Sequence, residues 1–535
     1  MDNWNIPQAH LSYQGLIFLN ENIGAAMSST NMVGENTVVC LLVEGSERRY
    51  RIEKDQHAFF EDERLDPQNE LAALLIGKGP GDKFNLQERI GSKPVEVRWI
   101  KPVYLDAFHR SIEQFNERFP RADGLLRFTF NPDAPDPLED IRTITKARAE
   151  ADQRILEQYQ SASIPLSFAA ALVGKDALDA WSGLPTVGVQ FQVCRGTLPE
   201  REEALRTINQ YGRKGCVLDA ITLSVVRRLR VEKAVSAVCG PIHTPQSVID
   251  LLASRDLESR QNIGKKQGYI GWRENRLVME EFSAEFMKNV AEERAKELSW
   301  ARSAVAIAPA MPKKDFSQET RTILDMVGHV ACDPAVAADG NGLLLLSEDM
   351  GFRMWSAATF QIPTTWLQPV LILARDEGDL NTEEYCEAVN MLALSGHTYI
   401  SLDHNCLMHQ ARKDNFALNN ELSRLLGVVG GPMADLTTNS RVLSAFIDAL
   451  WQACPDELSV KRIVSEGFLA ITKGRQEDQR EIISLILSQL RTREILMKEH
   501  ALAWLIGHSI GLPYLDELLQ MQRKLLGMVY RRPKT

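Results

Sequence analysis

Four aspartates lie where predicted strands and helices meet. Asp219 and Asp349 each follow a short apolar run, which is typical of a strand buried on both faces. Asp250 lies one turn inside a predicted helix, and Asp333 directly follows another. An alternating strand–helix pattern builds a parallel sheet, whose strand ends meet at one edge. We therefore expect the four carboxylates to converge there.

The chemistry expected of these carboxylates is that of a metal centre. Carboxylate oxygens are hard ligands that suit Mg²⁺ or Mn²⁺. One or two such ions can hold a scissile phosphate, activate a water molecule and stabilise the leaving oxygen. The predicted catalytic and metal-binding residues of a phosphodiester hydrolase are therefore Asp219, Asp250, Asp333 and Asp349. Without a cation, clustered acids repel one another and should have raised pKa values.

Two assignments within this set stay open. Asp325 and Asp339 compete with Asp333 for the third position, and Glu348 lies beside Asp349 as a neighbour that could assist it. A single strand-end aspartate is more often a helix cap or turn former than a ligand. Four such residues at successive element boundaries favour a metal site.

A basic segment with interleaved aromatic residues lies in a predicted insertion at residues 254–320. Cations combined with stacking rings are typical of a contact with single-stranded nucleic acid. The alternative is a solvated loop or helix. The predicted contact residues are Arg255, Arg260, Lys265, Lys266, Tyr269, Trp272 and Arg273.

The composition limits the class of protein. The net charge of the 535 residues is −10, so a nucleic-acid contact would need a local basic patch. No apolar run is long enough to predict a membrane-spanning helix, and the amino terminus lacks the pattern of a signal peptide. The eight cysteines show no paired spacing, which predicts reduced thiols and a cytoplasmic location.

Shifts in pattern divide the chain into five predicted parts. A hairpin is predicted from strands at 36–43 and 47–52, and a further strand at 187–194. The parts are an N-terminal arm (1–33), a β-rich module (34–104), a helical linker and accessory segment (105–214), an α/β domain (215–410) with the insertion at 254–320, and a C-terminal helical region (411–535).

Residues 215–410 resemble a PIN domain, the metal-dependent nuclease fold of many ribonuclease toxins. The resemblance implies that the four aspartates bind metal and that RNA rather than DNA is cleaved, although Glu is commoner than Asp at the position of Asp250. It is carried by Val217-Leu218-Asp219 with Thr222-Leu223, by His243-Thr244-Pro245 with Val248 and Asp250-Leu251-Leu252, and by Leu344-Leu345-Leu346-Ser347-Glu348-Asp349 with Gly351-Phe352-Arg353.

Residues 34–104 resemble the C-terminal domain of the Gre transcript-cleavage factors, a small β-rich fold similar to FKBP. The resemblance is carried by Leu71-Ala72-Ala73-Leu74-Leu75-Ile76-Gly77-Lys78, the following Gly81-Asp82 and the predicted hairpin. Residues 1–33 are too few for the acidic coiled coil of those factors. The resemblance therefore implies a module that binds RNA polymerase or a regulatory protein, without cleavage stimulation.

The expected architecture is multidomain α/β plus α. It comprises an FKBP-like module, a helical linker, a PIN-like α/β/α domain with a parallel sheet, and a C-terminal helical region. The expected function is that of a Mg²⁺- or Mn²⁺-dependent endoribonuclease in bacterial stress response or phage defence. The alternative is a non-catalytic PIN-like scaffold that binds partners such as RNA polymerase.

Overall fold

A computed structural model describes most of the chain and divides it into two compact units, residues 1–141 and 142–535. The residues that it describes are 4, 7–19, 30–54, 63–87, 92–118, 138–161, 164–431, 435–490, 494–508 and 515–529.

The first unit is built on a five-stranded sheet in the order β3-β2-β1-β5-β4. The predicted hairpin is confirmed, because β1 and β2 pair antiparallel across Gly45, whose φ is 84°. Its elements are α1 (Pro7–Leu19), β1 (Thr37–Val43), β2 (Ser46–Ile52), β3 (Arg64–Leu65), α2 (Glu70–Leu75), β4 (Lys83–Gln87), β5 (Ser92–Pro102) and α3 (Val103–Arg118).

The second unit begins with an α/β part. Its elements are α4 (Glu139–Gln160), α5 (Leu166–Leu172), α6 (Ala177–Gly183), α7 (Leu198–Tyr211), β6 (Cys216–Leu218), α8 (Ala220–Leu229), α9 (Glu232–Cys239), β7 (Ile242–Thr244), α10 (Gln246–Gln261), β8 (Gly268–Arg273), β9 (Arg276–Glu281), α11 (Ala284–Ala304), β10 (Ala306–Ile307), α12 (Gln318–Val327), α13 (His329–Asn341), β11 (Leu344–Leu346), α14 (Met350–Phe360) and β12 (Thr364–Thr365).

Helices alone make up the rest of the described chain, as predicted for the C-terminal region. They are α15 (Leu367–Glu377), α16 (Thr382–Leu394), α17 (His404–Lys413), α18 (Asn420–Val429), α19 (Leu436–Ala453), α20 (Glu457–Thr472), α21 (Gln479–Gln489), α22 (Glu494–His508) and α23 (Leu515–Val529). None of the described helices combines the length and the apolar character needed to cross a membrane.

A parallel five-stranded sheet organises the α/β part in the order β10-β7-β6-β11-β12. The predicted parallel sheet is therefore confirmed. The chain passes from β6 to β7 on one side, and β11 lies on the other side of β6. The strand order thus reverses between β6 and β11, the place where open α/β sheets form a crevice at the carboxyl ends of their strands.

Alternate residues of the two central strands face two different cores. Cys216, Leu218, Leu344 and Leu346 belong to a large core that continues through the C-terminal helices as far as α23. Val217 and Leu345, on the other face, belong to a smaller core with residues of α5, α12, α13 and α14. Since both faces are covered, the strands are apolar at every position. The C-terminal helices complete the core of the α/β part.

Three predicted details need correction. Residues 187–194 form no named strand, and Phe191 makes only an isolated bridge to His397 in a loop between helices. Residue 254 lies inside α10, and β10 joins the main sheet beside β7, so part of the insertion belongs to the core of the domain. The helix predicted to end just before Asp333 is in fact two helices: α12 ends at Val327, and α13 runs from His329 to Asn341 with Pro334 inside it.

Because the core is shared, a destabilising substitution in α19 should also lower the stability of the parallel sheet. Phe446 is fully buried, and Phe446→Ala should destabilise the unit by about 3–5 kcal/mol. Hydrogen exchange measured by mass spectrometry should show lower protection in peptides of β6 and β11 as well as of α19. The control is Leu458→Ala, in the neighbouring α20, whose side chain is 57% exposed. Unchanged protection of β6 and β11 in Phe446→Ala would contradict a shared core.

Candidate active site

The pairing of β6 with β11 brings the acids together. Leu218 lies opposite Leu346 in the parallel register, so the chain continues on one side as Asp219 and on the other as Ser347. Neighbouring strands lie about 4.8 Å apart. The backbone N–H of Glu348 donates to the Thr222 hydroxyl at 2.8 Å and ties the two strand ends together.

Asp219 caps helix α8 and keeps one oxygen free. Its Oδ1 accepts a hydrogen bond from the backbone N–H of Thr222 at 2.8 Å. Its Oδ2 is enclosed and has no hydrogen-bond partner. Burial raises the pKa of this carboxyl, against the smaller effects of the Ser347 hydroxyl and the Thr222 amide. The capping role and a ligand role are compatible here, because they use different oxygens.

Asp349 joins the N-termini of two helices. Its Oδ1 accepts from the backbone N–H of Phe352 at 3.3 Å and caps α14, while its Oδ2 accepts from the N–H of Leu166, the first residue of α5, at 2.6 Å. Burial, with a smaller contribution from the charge of Asp219, raises the pKa of Asp349 to about 7.

Glu348 points toward a buried histidine. Its Oε1 accepts from the backbone N–H of Leu367 at 2.7 Å, and its Oε2 lies 3.5 Å from Nε2 of His397. Burial raises the pKa of Glu348 to about 7 and lowers that of His397 to about 3. The histidine is therefore neutral at pH 7 and does not compensate the charge of Glu348.

Arg353 is the buried cation beside this cluster. Its guanidinium donates to the backbone carbonyl of Ser347 at 2.6 Å and to that of Val193, and it lies 5.1 Å from the centre of the Trp366 ring. It lowers the pKa of Glu348 and Asp349 less than burial raises it. This guanidinium thus acts on the charges of Glu348 and Asp349 only in part, and a divalent cation would offset the remaining negative charge of the cluster.

Asp219 and Asp349 both line a cavity of about 210 Å³. Its wall combines these two acids with apolar side chains such as Phe352, and with the polar Lys175 and Asp176. The oxygens of Asp219, Glu348 and Asp349 do not all lie within 4.8 Å of one another. The arrangement suits a cation held by the two aspartates and by water, which Mg²⁺ retains readily.

The other predicted acids lie outside the lining of this cavity. Asp250 is exposed on α10 and accepts from the side chain of Gln246 at 2.8 Å. Asp333 lies inside α13 rather than at a helix end, 3.8 Å from His329. Their neighbours line the cavity, namely Leu251 for Asp250 and Val330 and Ala331 for Asp333. The structure therefore places both beside the site without bringing their carboxylates to Asp219.

The two competitors for the third position lie elsewhere. Asp339 accepts from the backbone N–H of Lys313 at 3.0 Å and holds the segment before α12. Asp325 is exposed on α12. The residues that sequence reasoning missed are His397 and the role of Arg353. No sequence pattern around either residue indicates this role, because each is brought to the cluster by contacts between distant parts of the chain.

The predicted basic segment forms a hairpin between α10 and α11. Strands β8 and β9 pair antiparallel across Glu274 and Asn275, both in the left-handed region. Tyr269 is 44% exposed and shares a face of β8 with Arg273, because side chains alternate along a strand. Lys265 and Lys266 are exposed just before the hairpin, and Trp272 is half-buried.

Two of the predicted contact residues, Arg255 and Arg260, are engaged in ion pairs. Arg255 pairs with Asp176 and, at 2.8 Å, with Asp179. Arg260 pairs with Asp256 at 2.8 Å. The sequence showed the cations of this segment but not the carboxylates that the fold brings to them. The side chain of Arg255 is 13% exposed, whereas that of Arg260 is 60% exposed.

Comparison with known families supports a PIN domain in this part of the chain. Residues 217–358 match a family model described as "PIN domain associated with the TPR-GreAB-C-PIN system". The matched range starts in β6 and ends in α14, and so includes Asp219, Asp250, Asp333 and Asp349. No curated protein and no solved structure matches the chain.

The raised pKa values predict how stability depends on pH without metal. Glu348 and Asp349 have ordinary values of 4.5 and 3.8 and titrate near pH 7 in the fold. Between about pH 4 and pH 7 the folded state binds more protons than the unfolded state, so the free energy of unfolding falls as the pH rises, by up to about 1.4 kcal/mol per pH unit for each group.

Urea unfolding in EDTA between pH 5 and pH 8 measures this slope. Glu348→Gln keeps an acceptor for Leu367 and should flatten the dependence, whereas Glu258→Gln, an exposed glutamate on α10, should leave it unchanged. Identical slopes in Glu348→Gln and the wild type would show that Glu348 is already ionised in the fold.

Proposed function

We propose that the PIN-like part of this chain is a metal-dependent nuclease that cleaves RNA. The observation that carries the proposal is the enclosed Oδ2 of Asp219, which has no hydrogen-bond partner, in a residue that lines the same cavity as Asp349 at the carboxyl edge of the sheet. Nuclease activity is typical of the family whose model matches residues 217–358, which supports the proposal.

The residues that would hold Mg²⁺ or Mn²⁺ are Asp219 and Asp349. When bound, such an ion supplies a Lewis acid for the phosphate and lowers the pKa of a water molecule. Asp219 can donate its free Oδ2 without losing the cap of α8. Asp349 is fixed by the N–H groups of Leu166 and Phe352, which hold its carboxylate in one orientation. Asp250 and Asp333 remain proposed members of the site.

The hairpin of β8 and β9 is proposed to contact the RNA strand. The ring of Tyr269 lies over Gly271, where a side chain would clash with it, and its exposed part is available for stacking on a base. Arg273 on the same face and the nearby Lys265 and Lys266 would contact phosphates. Trp272 stays a proposed contact on the opposite face.

The wider role is proposed from the family description. The matching family is associated with a system that also names TPR and GreAB-C parts. We accordingly propose that the module at 34–104 binds RNA polymerase or a regulatory protein, and that the chain acts in the cytoplasm in bacterial stress response or phage defence.

A specific observation favours the second candidate, a non-catalytic scaffold. Three of the four oxygens of Asp219 and Asp349 accept backbone N–H groups. A pair of aspartates that serve only as helix caps would show the same bonds. The two functions differ in metal binding and in the effect of changing Asp219 alone.

The decisive variant is Asp219→Asn. An asparagine keeps the acceptor for Thr222 and replaces only the free oxygen, so the fold should persist while cleavage of labelled single-stranded RNA with Mn²⁺ falls on the order of 100-fold or more. Asp349→Asn should be equally inactive, but less stable, because an amide N–H₂ would face a backbone N–H. The control is Asp315→Asn, at an exposed site.

Parallel assays of Asp250→Asn and Asp333→Asn decide whether these acids belong to the site. Wild-type cleavage that is retained in Asp219→Asn would eliminate the nuclease assignment and favour the scaffold. Calorimetric titration with Mn²⁺ gives a second measurement, since Asp219→Asn should lose the binding seen in the wild type.

The hairpin gives a separate prediction. Tyr269→Ala should weaken binding of single-stranded RNA by about tenfold, because stacking contributes about 1–3 kcal/mol for each base. Met326→Ala is the control, since Met326 lies on α12, outside the hairpin, and is 57% exposed. Fluorescence anisotropy with the Asp219→Asn background measures binding without cleavage. Equal weakening by both variants would contradict a contact through the Tyr269 face.

A further inference from the structure

A second group of potential metal ligands lies in the helical region, among residues that the acid site does not use. The ligand atoms of Cys386, Asp403 and Cys406 all lie within 4.8 Å of one another. No other set of three His, Cys, Asp or Glu side chains in the described residues meets this spacing. Two sulfurs and one carboxylate oxygen therefore converge at one point.

The fold holds these three side chains in place. Cys386 lies on α16, and Cys406 lies in the first turn of α17. Asp403 caps α17 by accepting a hydrogen bond from the backbone N–H of Cys406 at 2.9 Å. This bond holds the carboxylate of Asp403 next to Cys406. Asn390 donates to the carbonyl of Cys406 at 2.8 Å and locks the two helices together.

The three potential ligands differ in their exposure to solvent. Both cysteines are at most 1% exposed, whereas the side chain of Asp403 is 40% exposed. Asp403 also lines a large cavity of about 1270 Å³, together with Tyr385 and Arg375. The two thiols thus lie on the buried side of the group, and the carboxylate lies on the side that faces the cavity.

A cation beside the group balances its charge. Nη1 of Arg375 lies 3.9 Å from Oδ2 of Asp403, and its guanidinium lies 4.5 Å from the centre of the Tyr385 ring. Two thiolates and a carboxylate would carry three negative charges, of which a divalent ion offsets two. The guanidinium, which also pairs with Asp376 at 2.9 Å, offsets part of the third.

We propose that Cys386, Asp403 and Cys406 bind one Zn²⁺ ion, with the fourth position open toward the cavity. Thiolate ligands select zinc over the hard cations suited to the aspartate site. Zn–S bonds of about 2.3 Å place the sulfurs of a tetrahedral site roughly 3.8 Å apart, within the spacing observed. Three protein ligands and an open position are typical of zinc sites that bind water or an exogenous ligand.

The chain contains a matched thiol pair that lacks the carboxylate. Cys216 and Cys239 are both fully buried and lie within hydrogen-bonding distance of each other. Because this pair has no third ligand among the described residues, it should not bind zinc. Cys239→Ser is therefore the control for loss of a buried thiol.

The test uses the full chain, purified with reductant and without chelators. Zinc measured by plasma mass spectrometry should equal one ion for each chain, and added Co²⁺ should give thiolate-to-metal charge-transfer bands. Cys386→Ser and Cys406→Ser should weaken zinc binding on the order of 100-fold or more, and Arg375→Gln by about tenfold. Cys239→Ser should bind as the wild type does.

Three outcomes would overturn the proposal. They are absence of charge-transfer bands in the wild-type protein, equal affinity in Cys239→Ser and Cys386→Ser, or a Cys386–Cys406 disulfide that binds no Co²⁺ after reduction. The spectrum of the wild type does not depend on whether a variant folds. The Asp219→Asn protein should retain zinc, so the result is independent of the proposed nuclease.

Discussion

Three residues of parallel pairing hold the proposed active site together. Leu344–Leu346 lie beside Cys216–Leu218, and this register alone decides that Asp219 faces Ser347 and that Asp349 follows at the same edge. A shift by one residue would turn every side chain of β11 to the other face. The apolar residues on both faces of these strands therefore specify the position of the acids as well as the stability of the sheet.

The acids are buried where the fold offers too little positive charge. The guanidinium of Arg353 acts on Glu348 and Asp349, and it is itself held by two backbone carbonyls. Asp219 and Asp349 also cap the helices that follow their strands. Helix capping explains why aspartates suit these positions, and the free Oδ2 of Asp219 is the part that capping leaves unexplained.

Sequence patterns predicted the helices and strands that depend on residues close together in the chain. They missed the contacts between side chains that are far apart in the chain. The leucine run predicted β11 and the site of Asp349, because a strand buried on both faces is apolar at every position. Composition could not show that Arg255 would meet Asp176, or that His397 would lie beside Glu348. Asp333 lies inside α13, because the break between the two helices comes earlier, at Gly328.

The continuous core has a consequence for the order in which the chain is synthesised. Strands β6 and β11 are synthesised before the helices that contribute Phe446, Trp504 and Leu518 to the core covering one of their faces. Until those residues emerge, the strands that carry the acids lack much of their packing. A growing chain would therefore complete the packing around its acid cluster only after α19, α22 and α23 have been synthesised.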